Sequence, residues 1–203
     1  MQQLIEKLQS RNINAYWVRN SAEAKAIALE LIPAGATVAM GNSLSLRETG
    51  IFDALISGKY DVINQFEAGI SPGENISRRK RGLLADVYFT GTSAVTMDGE
   101  LVNIDGKGNR VAAMLFGPDK VVVVVGRNKV VRDQAHAWQR LREKAAPSLA
   151  RKLGRATPCA TSGVCSDCSS PERICRCYTV IGSQMPADKE RIHVIIVDED
   201  LGI

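Results

Sequence analysis

The first 158 residues contain no cysteine, and no apolar run in the chain is long enough to cross a membrane. A membrane-spanning helix needs about 18–20 consecutive apolar residues. Aromatic residues make up only 5% of the chain, and its only histidines are His136 and His193. Neither histidine follows a nucleophile elbow, which argues against a serine–histidine–aspartate hydrolase. The opening residues MQQLIEKLQSRN also lack the apolar region of a signal peptide, so we expect a cytoplasmic protein.

The composition is that of an ordinary globular protein, with 45% hydrophobic and 24% charged residues among 203. At about 150 residues per domain, this length predicts one domain, or one domain with an appendage. We place an α/β domain at residues 1–156. A cysteine-rich segment and terminal strands follow at 157–203, packed on the same domain.

Strand and helix patterns alternate along the α/β domain. The run Val121–Val125 has no polar alternation, which predicts a strand buried on both faces. We therefore expect an open, mostly parallel sheet with helices on both faces. The segments Tyr178–Gly182 and Ile192–Val197 predict a terminal β-hairpin after the cysteine-rich loop.

Three capping boxes predict helix starts: Asn20 with Glu23, Ser45 with Glu48, and Ser71 with Glu74. The second of these helices runs to Ile56, with a break expected at Gly50. A long helix is predicted from Val130 to Lys144 and onward toward Leu153.

Small, polar or basic loops follow three of the predicted strands. In open α/β sheets, ligands bind beyond the carboxyl ends of the strands, and helix starts there favour anions. This predicts an anion-binding cleft, although glycines in such loops also serve simple turns. The candidate ligand-binding residues are Gly41, Asn42, Ser43, Ser45, Thr90, Gly91, Thr92, Ser93, Asn103, Gly106, Gly108, Asn109, Arg110, Arg127 and Lys129.

Three carboxylates are candidate catalytic acids or bases: Glu48, Asp98 and Asp105. Asp98-Gly99 between short apolar runs is a hairpin signal, so Asp98 ranks below the other two. The glycine-rich stretch Gly106–Arg110 is neither a dinucleotide fingerprint nor a P-loop.

All five cysteines fall between Cys159 and Cys177. Four thiolates are enough for a tetrahedral zinc ion or an iron–sulfur cluster, and the spacing does not distinguish them. The alternatives are a reduced cysteine-rich loop and a reversible disulfide.

Basic residues are concentrated in one segment. Residues 127–155 carry a net charge of +7. Because the whole chain carries +4, the remaining residues carry −3. With the run Arg78–Arg81, this permits nucleic-acid binding, but no aromatic residues interleave the basic ones to stack on bases. An anionic small molecule or a solvated helix face accounts for the same charge.

The stretches GTSAVTMDGELVNIDGKGNRVAAMLFGP, KVVVVVGRNK and TPCATSGVCSDCSSPERIC resemble the lactate-utilization (LUD) domain family, in its stand-alone branch with a carboxyl-terminal cysteine motif. The resemblance implies the fold shared by ribose-phosphate isomerases and CoA-transferases. It also implies Cys159, Cys165, Cys168 and Cys175 as metal ligands, and a link to an iron–sulfur system that oxidises L-lactate to pyruvate. It supplies no catalytic residue.

We therefore expect a protein that binds a small anionic metabolite in lactate or other organic-acid metabolism, with a cysteine-ligated metal. The alternative is a non-catalytic iron–sulfur or zinc accessory subunit that serves a redox partner protein. A homo-oligomer is compatible with either, and whether the chain is an enzyme stays open.

Overall fold

The computed structural model describes all 203 residues and contains ten strands in two sheets. The strands are β1 (Asn14–Val18), β2 (Thr37–Met40), β3 (Asp61–Ile63), β4 (Val87–Thr90), β5 (Ala94–Thr96), β6 (Leu101–Asp105), β7 (Lys120–Gly126), β8 (Val130–Val131), β9 (Cys177–Ile181) and β10 (Ile192–Val197).

The larger sheet has six strands in the order β1-β10-β7-β4-β2-β3, all parallel. The valine run forms β7 near its centre and is fully buried. Val122 and Val124 belong to one core layer, and Val121, Val123 and Val125 belong to the other. The predicted parallel α/β sheet, buried on both faces, is thereby confirmed.

Nine α-helices surround the sheets: α1 (Gln2–Ser10), α2 (Ser21–Glu30), α3 (Leu44–Glu48), α4 (Ile51–Leu55), α5 (Pro72–Arg81), α6 (Asn109–Leu115), α7 (Gln134–Arg140), α8 (Ala146–Lys152) and α9 (Pro158–Ser162). Side chains of α2, α3 and α4 fill one core layer. Side chains of α1, with those of the smaller sheet, fill the other. No helix combines the length and the apolar character that crossing a membrane requires.

The smaller sheet has the order β8-β5-β6-β9. Strands β5 and β6 pair antiparallel around the turn at Asp98-Gly99, as predicted. Both terminal strands are present, but they lie in different sheets and do not pair with each other. Strand β9, whose residues alternate in exposure, pairs with β6, whereas the fully buried β10 inserts between β1 and β7. A strand that is apolar on both faces requires such a central position.

Two of the three predicted helix starts are confirmed, because Asn20 and Ser71 cap α2 and α5 by accepting the amides of Glu23 and Glu74 at 3.0 and 3.1 Å. The third prediction was wrong, because Ser43 caps α3 and Ser45 is a fully buried residue within that helix. The helix does break at Gly50, which has a φ of 67°.

The predicted long helix starts later than expected. Val130 and Val131 form β8, which pairs with β5. Helix α7 begins after Asp133, whose carboxylate accepts the amide of His136 at 3.0 Å. A π-helical turn at Leu141–Ala145 then joins α7 to α8. Pairing with β5 therefore overrides the helical pattern at the valines.

Candidate functional site

A cleft of about 500 Å³ opens at the carboxyl edge of the larger sheet, where the loops after β2, β4 and β7 meet. The loop after β6, the start of α6 and parts of α5 and α8 complete its walls. Predicted residues that line it are Asn42, Ser43, Gly91, Thr92, Ser93, Asp105, Gly106, Asn109, Arg110 and Lys129.

The loops after β2 and β4 touch each other through their glycines. A Cβ on Gly91 would lie 2.7 Å from the Ser43 hydroxyl oxygen, too close for any side chain. A Cβ on Gly41 would lie 3.2 Å from the Thr90 hydroxyl oxygen. The Ser43 hydroxyl also accepts the amide of Leu46, which caps α3. These small residues therefore serve the close approach of two backbones at the cleft floor.

A buried network fixes the cleft wall around Arg110. Its Nη1 donates to Asn103 Oδ1 at 2.7 Å and to the Gly91 carbonyl at 3.1 Å, and its Nη2 donates to the Ile104 carbonyl at 2.8 Å. Asn103 is fully buried and also accepts from the Thr92 hydroxyl at 3.1 Å. Burial lowers the pKa of Arg110 below its ordinary value. The structure thus uses most of this guanidinium to join β4, β6 and α6.

The carboxylate of Asp105 is also occupied by contacts within the cleft wall. Its Oδ1 accepts the amides of Lys107 and Gly108 at 3.2 and 3.1 Å, and its Oδ2 accepts the amide of Val111 at 3.3 Å. The Arg110 Nε lies 3.4 Å from Oδ2. The carboxylate therefore shapes the glycine-rich loop and the start of α6, although it borders the cleft.

Lys129 is the most unusual residue of the cleft. It is only 5% exposed, its Nζ donates to the Ser45 hydroxyl at 3.1 Å, and no carboxylate lies within ion-pair distance. Burial, followed by repulsion from Arg140 and then Arg110, lowers the pKa of Lys129 to about 8, although Glu48 acts in the opposite direction. An ammonium that is buried without an acid is costly unless a ligand compensates it.

Other predicted residues lie behind the cleft or away from it. Gly41, Ser45, Thr90, Asn103 and Gly108 support its walls without lining it.

The remaining three, Glu48, Asp98 and Arg127, are exposed and do not line the cleft. Glu48 accepts the amide of Gly202. Asp98 lies in the β5–β6 turn. Arg127 pairs with Asp198 and Asp200, at 3.1 Å each.

Sequence reasoning missed several residues that line the cleft. Gln65 is buried and donates to the Met40 carbonyl at 2.7 Å, and nothing in its surrounding sequence marks it. Arg79 and Arg155 lie in the basic runs noted above, but the pattern did not indicate which cations face the cleft. Lys107 belongs to the glycine-rich loop and, like Arg155, is exposed and forms no ion pair.

The charge of the lining is strongly positive. The lining side chains include one carboxylate, that of Asp105, and five cations. Such an excess of positive charge concentrates anions in a concave site. The five cations are Arg79, Lys107, Arg110, Lys129 and Arg155.

The cysteine-rich segment does not assemble a metal centre in this structure. All five thiols are free, and Cys159 and Cys175 are buried. Cys159 lies in α9, and Cys177 begins β9. No three cysteine, histidine or acidic side chains lie close enough together to hold a metal. The predicted set of Cys159, Cys165, Cys168 and Cys175 therefore does not fit a four-coordinate site as arranged here.

Arg173 organises the loop between α9 and β9 instead. Its Nη1 donates to the Cys168 carbonyl at 2.6 Å, its Nε donates to the Cys175 carbonyl at 2.8 Å, and its Nη2 donates to Asp167 at 2.8 Å. Cys165 and Cys175 both border a second cavity, of about 550 Å³.

The fold and the cleft define an α/β protein with a cation-lined site at the carboxyl edge of a parallel sheet. The profile of the LUD domain matches residues 1–197, so the chain belongs to the LUD domain family. No curated protein sequence matches the chain.

Among solved structures, a DUF162 family protein from Deinococcus radiodurans has a similar fold. It is 17% identical with a TM-score of 0.53, and the match covers 97% of this chain and 94% of that one. Ribose 5-phosphate isomerase A from Methanocaldococcus jannaschii is 16% identical with a TM-score of 0.34 and matches over 66% of each chain. The eIF2B delta protein from Chaetomium thermophilum is 18% identical with a TM-score of 0.38, over 66% of this chain and 54% of that one.

Proposed function

We propose that this protein binds a small anionic metabolite in the cation-lined cleft and acts in lactate or other organic-acid metabolism. The observation that carries the proposal is Lys129, an almost fully buried lysine that lines the cleft and has no acidic partner. A carboxylate or phosphate bound beside it would supply the missing counter-charge.

The surroundings support a ligand of this class. Lys107 and Arg155 are exposed at the cleft and unpaired, so they are available to attract an anion. The volume of about 500 Å³ suits a metabolite rather than a polymer. Membership of the LUD domain family favours organic acids among the small anions.

Arg110 has a supporting role in this proposal. Because its donors are already directed at Asn103, Gly91 and Ile104, its positive charge contributes to the field while its hydrogen bonds hold the wall. Lys129 is therefore the cation that we assign to direct contact with the anion.

Calorimetric titration with L-lactate, pyruvate and inorganic phosphate tests the proposal. Replacing Lys129 by Met should weaken binding by about tenfold to a hundredfold, the usual effect of losing a hydrogen bond to a charged group. The matched control is Lys189→Met, because Lys189 is exposed and precedes β10 at the opposite edge of the sheet. Equal affinities in wild type and Lys129→Met would contradict the assignment.

A turnover assay with the purified chain separates a catalyst from an accessory subunit. A catalyst converts one of these acids unaided, whereas an accessory subunit binds the anion and requires its partner protein. The cysteine-ligated metal stays a separate proposal for elemental analysis, and no step of the binding proposal depends on it.

A further inference from the structure

The burial of Lys129 exceeds what anion binding requires. Lys107 lines the same cleft while remaining exposed, and its charge attracts anions without a desolvation cost. Lys129 instead places its amine against a hydroxyl, with no carboxylate within ion-pair distance. Desolvation of this kind is the usual way in which a lysine is kept partly neutral and nucleophilic.

We propose that Lys129 Nζ forms an imine with the carbonyl carbon of an anionic aldehyde or ketone bound in the cleft. This inference rests on the proposed anion binding, because the cations of the cleft would hold the carboxylate or phosphate of the same molecule. The ligand class is therefore a small compound with both an anionic group and an electrophilic carbonyl.

The reaction is a condensation that consumes no oxidant or reductant. The Nζ lone pair adds to the carbonyl carbon, and a proton passes from nitrogen to oxygen to give a carbinolamine. The carbinolamine hydroxyl then takes up the second proton of the nitrogen and leaves as water, and the C=N bond forms. The Ser45 hydroxyl, 3.1 Å from Nζ, is within reach to accept and return the transferred proton.

The Gly202 backbone packs directly against the amine. Gly202 has a φ of 64°, and a Cβ there would lie 3.0 Å from Lys129 Nζ and 3.2 Å from the Ser45 hydroxyl oxygen. A side chain at this position would press on both the Lys129 amine and the Ser45 hydroxyl. Glu48 holds this stretch in place by accepting the Gly202 amide.

Reductive trapping tests the proposal directly. The wild-type protein is incubated with pyruvate, reduced with cyanoborohydride and mapped by peptide mass spectrometry; pyridoxal 5′-phosphate serves as a second, phosphorylated probe. Burial lowers the pKa of Lys129 to about 8, so we expect at least about tenfold more adduct at Lys129 than at the exposed Lys107. Excess propionate, which lacks the keto group of pyruvate, should suppress the adduct by competition.

Lys129→Arg is the matched variant, because it keeps a cation but cannot form an imine. It should bind phosphate and yield no adduct at position 129. An unmodified Lys129 in the wild type, or adducts spread over exposed lysines, would overturn the proposal even if the variant failed to fold. Phosphate binding without a trapped adduct would contradict the imine proposal alone. Absence of both would contradict the anion-binding proposal as well.

Discussion

The cleft and the cysteine-rich segment are both rich in reactive side chains, but only the cleft is assembled. Several of its residues follow strands of one parallel sheet, so sheet pairing alone brings the loops after β2, β4 and β7 together. The cysteines lie on α9, on a loop without regular structure and on β9, and no three reach a common point. A metal would have to draw these thiols together, because the chain alone does not hold them there.

The two regions differ in how deeply the hydrogen bonds that hold them are buried. In the cleft, buried hydrogen bonds of Asn103 and Arg110 fix the wall before any ligand arrives. In the cysteine-rich segment, the partly exposed Arg173 and the exposed Arg176 hold the loop mainly through hydrogen bonds to its backbone carbonyls. Four substitutions test this difference between the two regions.

The largest effect is expected for Lys129→Met, which should stabilise the protein while weakening anion binding. Lys129 has a pKa of about 8 in the fold against an ordinary value of 10.5, a difference worth about 3 kcal/mol. Below pH 8 the amine is charged in both states, so the folded state carries the desolvation cost and the variant escapes it. Urea unfolding at pH 7 measures the gain.

The pH dependence has a defined sign. Between pH 8 and 10.5 the unfolded chain holds the proton and the fold releases it, so wild-type stability relative to Lys129→Met rises with pH. Burial is the main cause of this lowered pKa, repulsion from Arg140 and Arg110 adds to it, and Glu48 opposes it. A stability difference that stays constant across this range would show that Lys129 is not the titrating group.

The next effect is expected for Asn103→Ala, which removes the acceptor that Arg110 and Thr92 share. Leaving a buried guanidinium donor without its partner costs about 2–3 kcal/mol. Chemical denaturation measures the loss, and Asn109→Ala is the control, because Asn109 is only partly buried and its contact with Arg79 is 3.4 Å. A similar loss in both variants would argue against a rigid cleft wall.

A smaller effect is expected for Arg173→Ala. The free energy of unfolding should fall by about 1 kcal/mol, because the lost hydrogen bonds lie in a largely exposed loop. The clearer signal is local, and limited proteolysis should cut residues 163–176 faster than in wild type. Unchanged cleavage would show that other contacts order the segment.

The smallest effect on stability is expected for Cys165→Ser in metal-free protein, less than about 0.5 kcal/mol for a partly exposed side chain. Elemental analysis after anaerobic purification tests the metal site that was predicted from the sequence for the cysteines. One zinc or about four irons per chain, lost in the variant, would support the four-cysteine site. Metal-free wild-type protein would contradict it.

The sequence was informative where local pattern and burial agree. The run Val121–Val125 predicted a central strand, and the Asn20 and Ser71 caps predicted two helix starts. The sequence was least informative where pairing between distant segments determines the local structure. Val130 and Val131 fit a helical pattern but form a strand, because they pair with β5.

The candidate site shows the same division. Glycine and serine loops after strands indicated where the cleft lies, because strand ends of a parallel sheet share one edge. The pattern could not show that Asp105 is occupied by backbone amides, or that Gln65 and Arg79 reach the cleft from elsewhere in the chain. Those facts depend on packing between elements far apart in sequence.

The position of β10 also has a consequence for synthesis on the ribosome. This strand follows all others in the sequence, yet it separates β1 from β7. Until residues 192–197 emerge, β1 has no neighbour in the sheet and β7 presents an open apolar edge. Nascent chains of this protein should therefore remain unfolded or bound to chaperones until β10 has left the ribosome, and fragments that stop before β10 should aggregate.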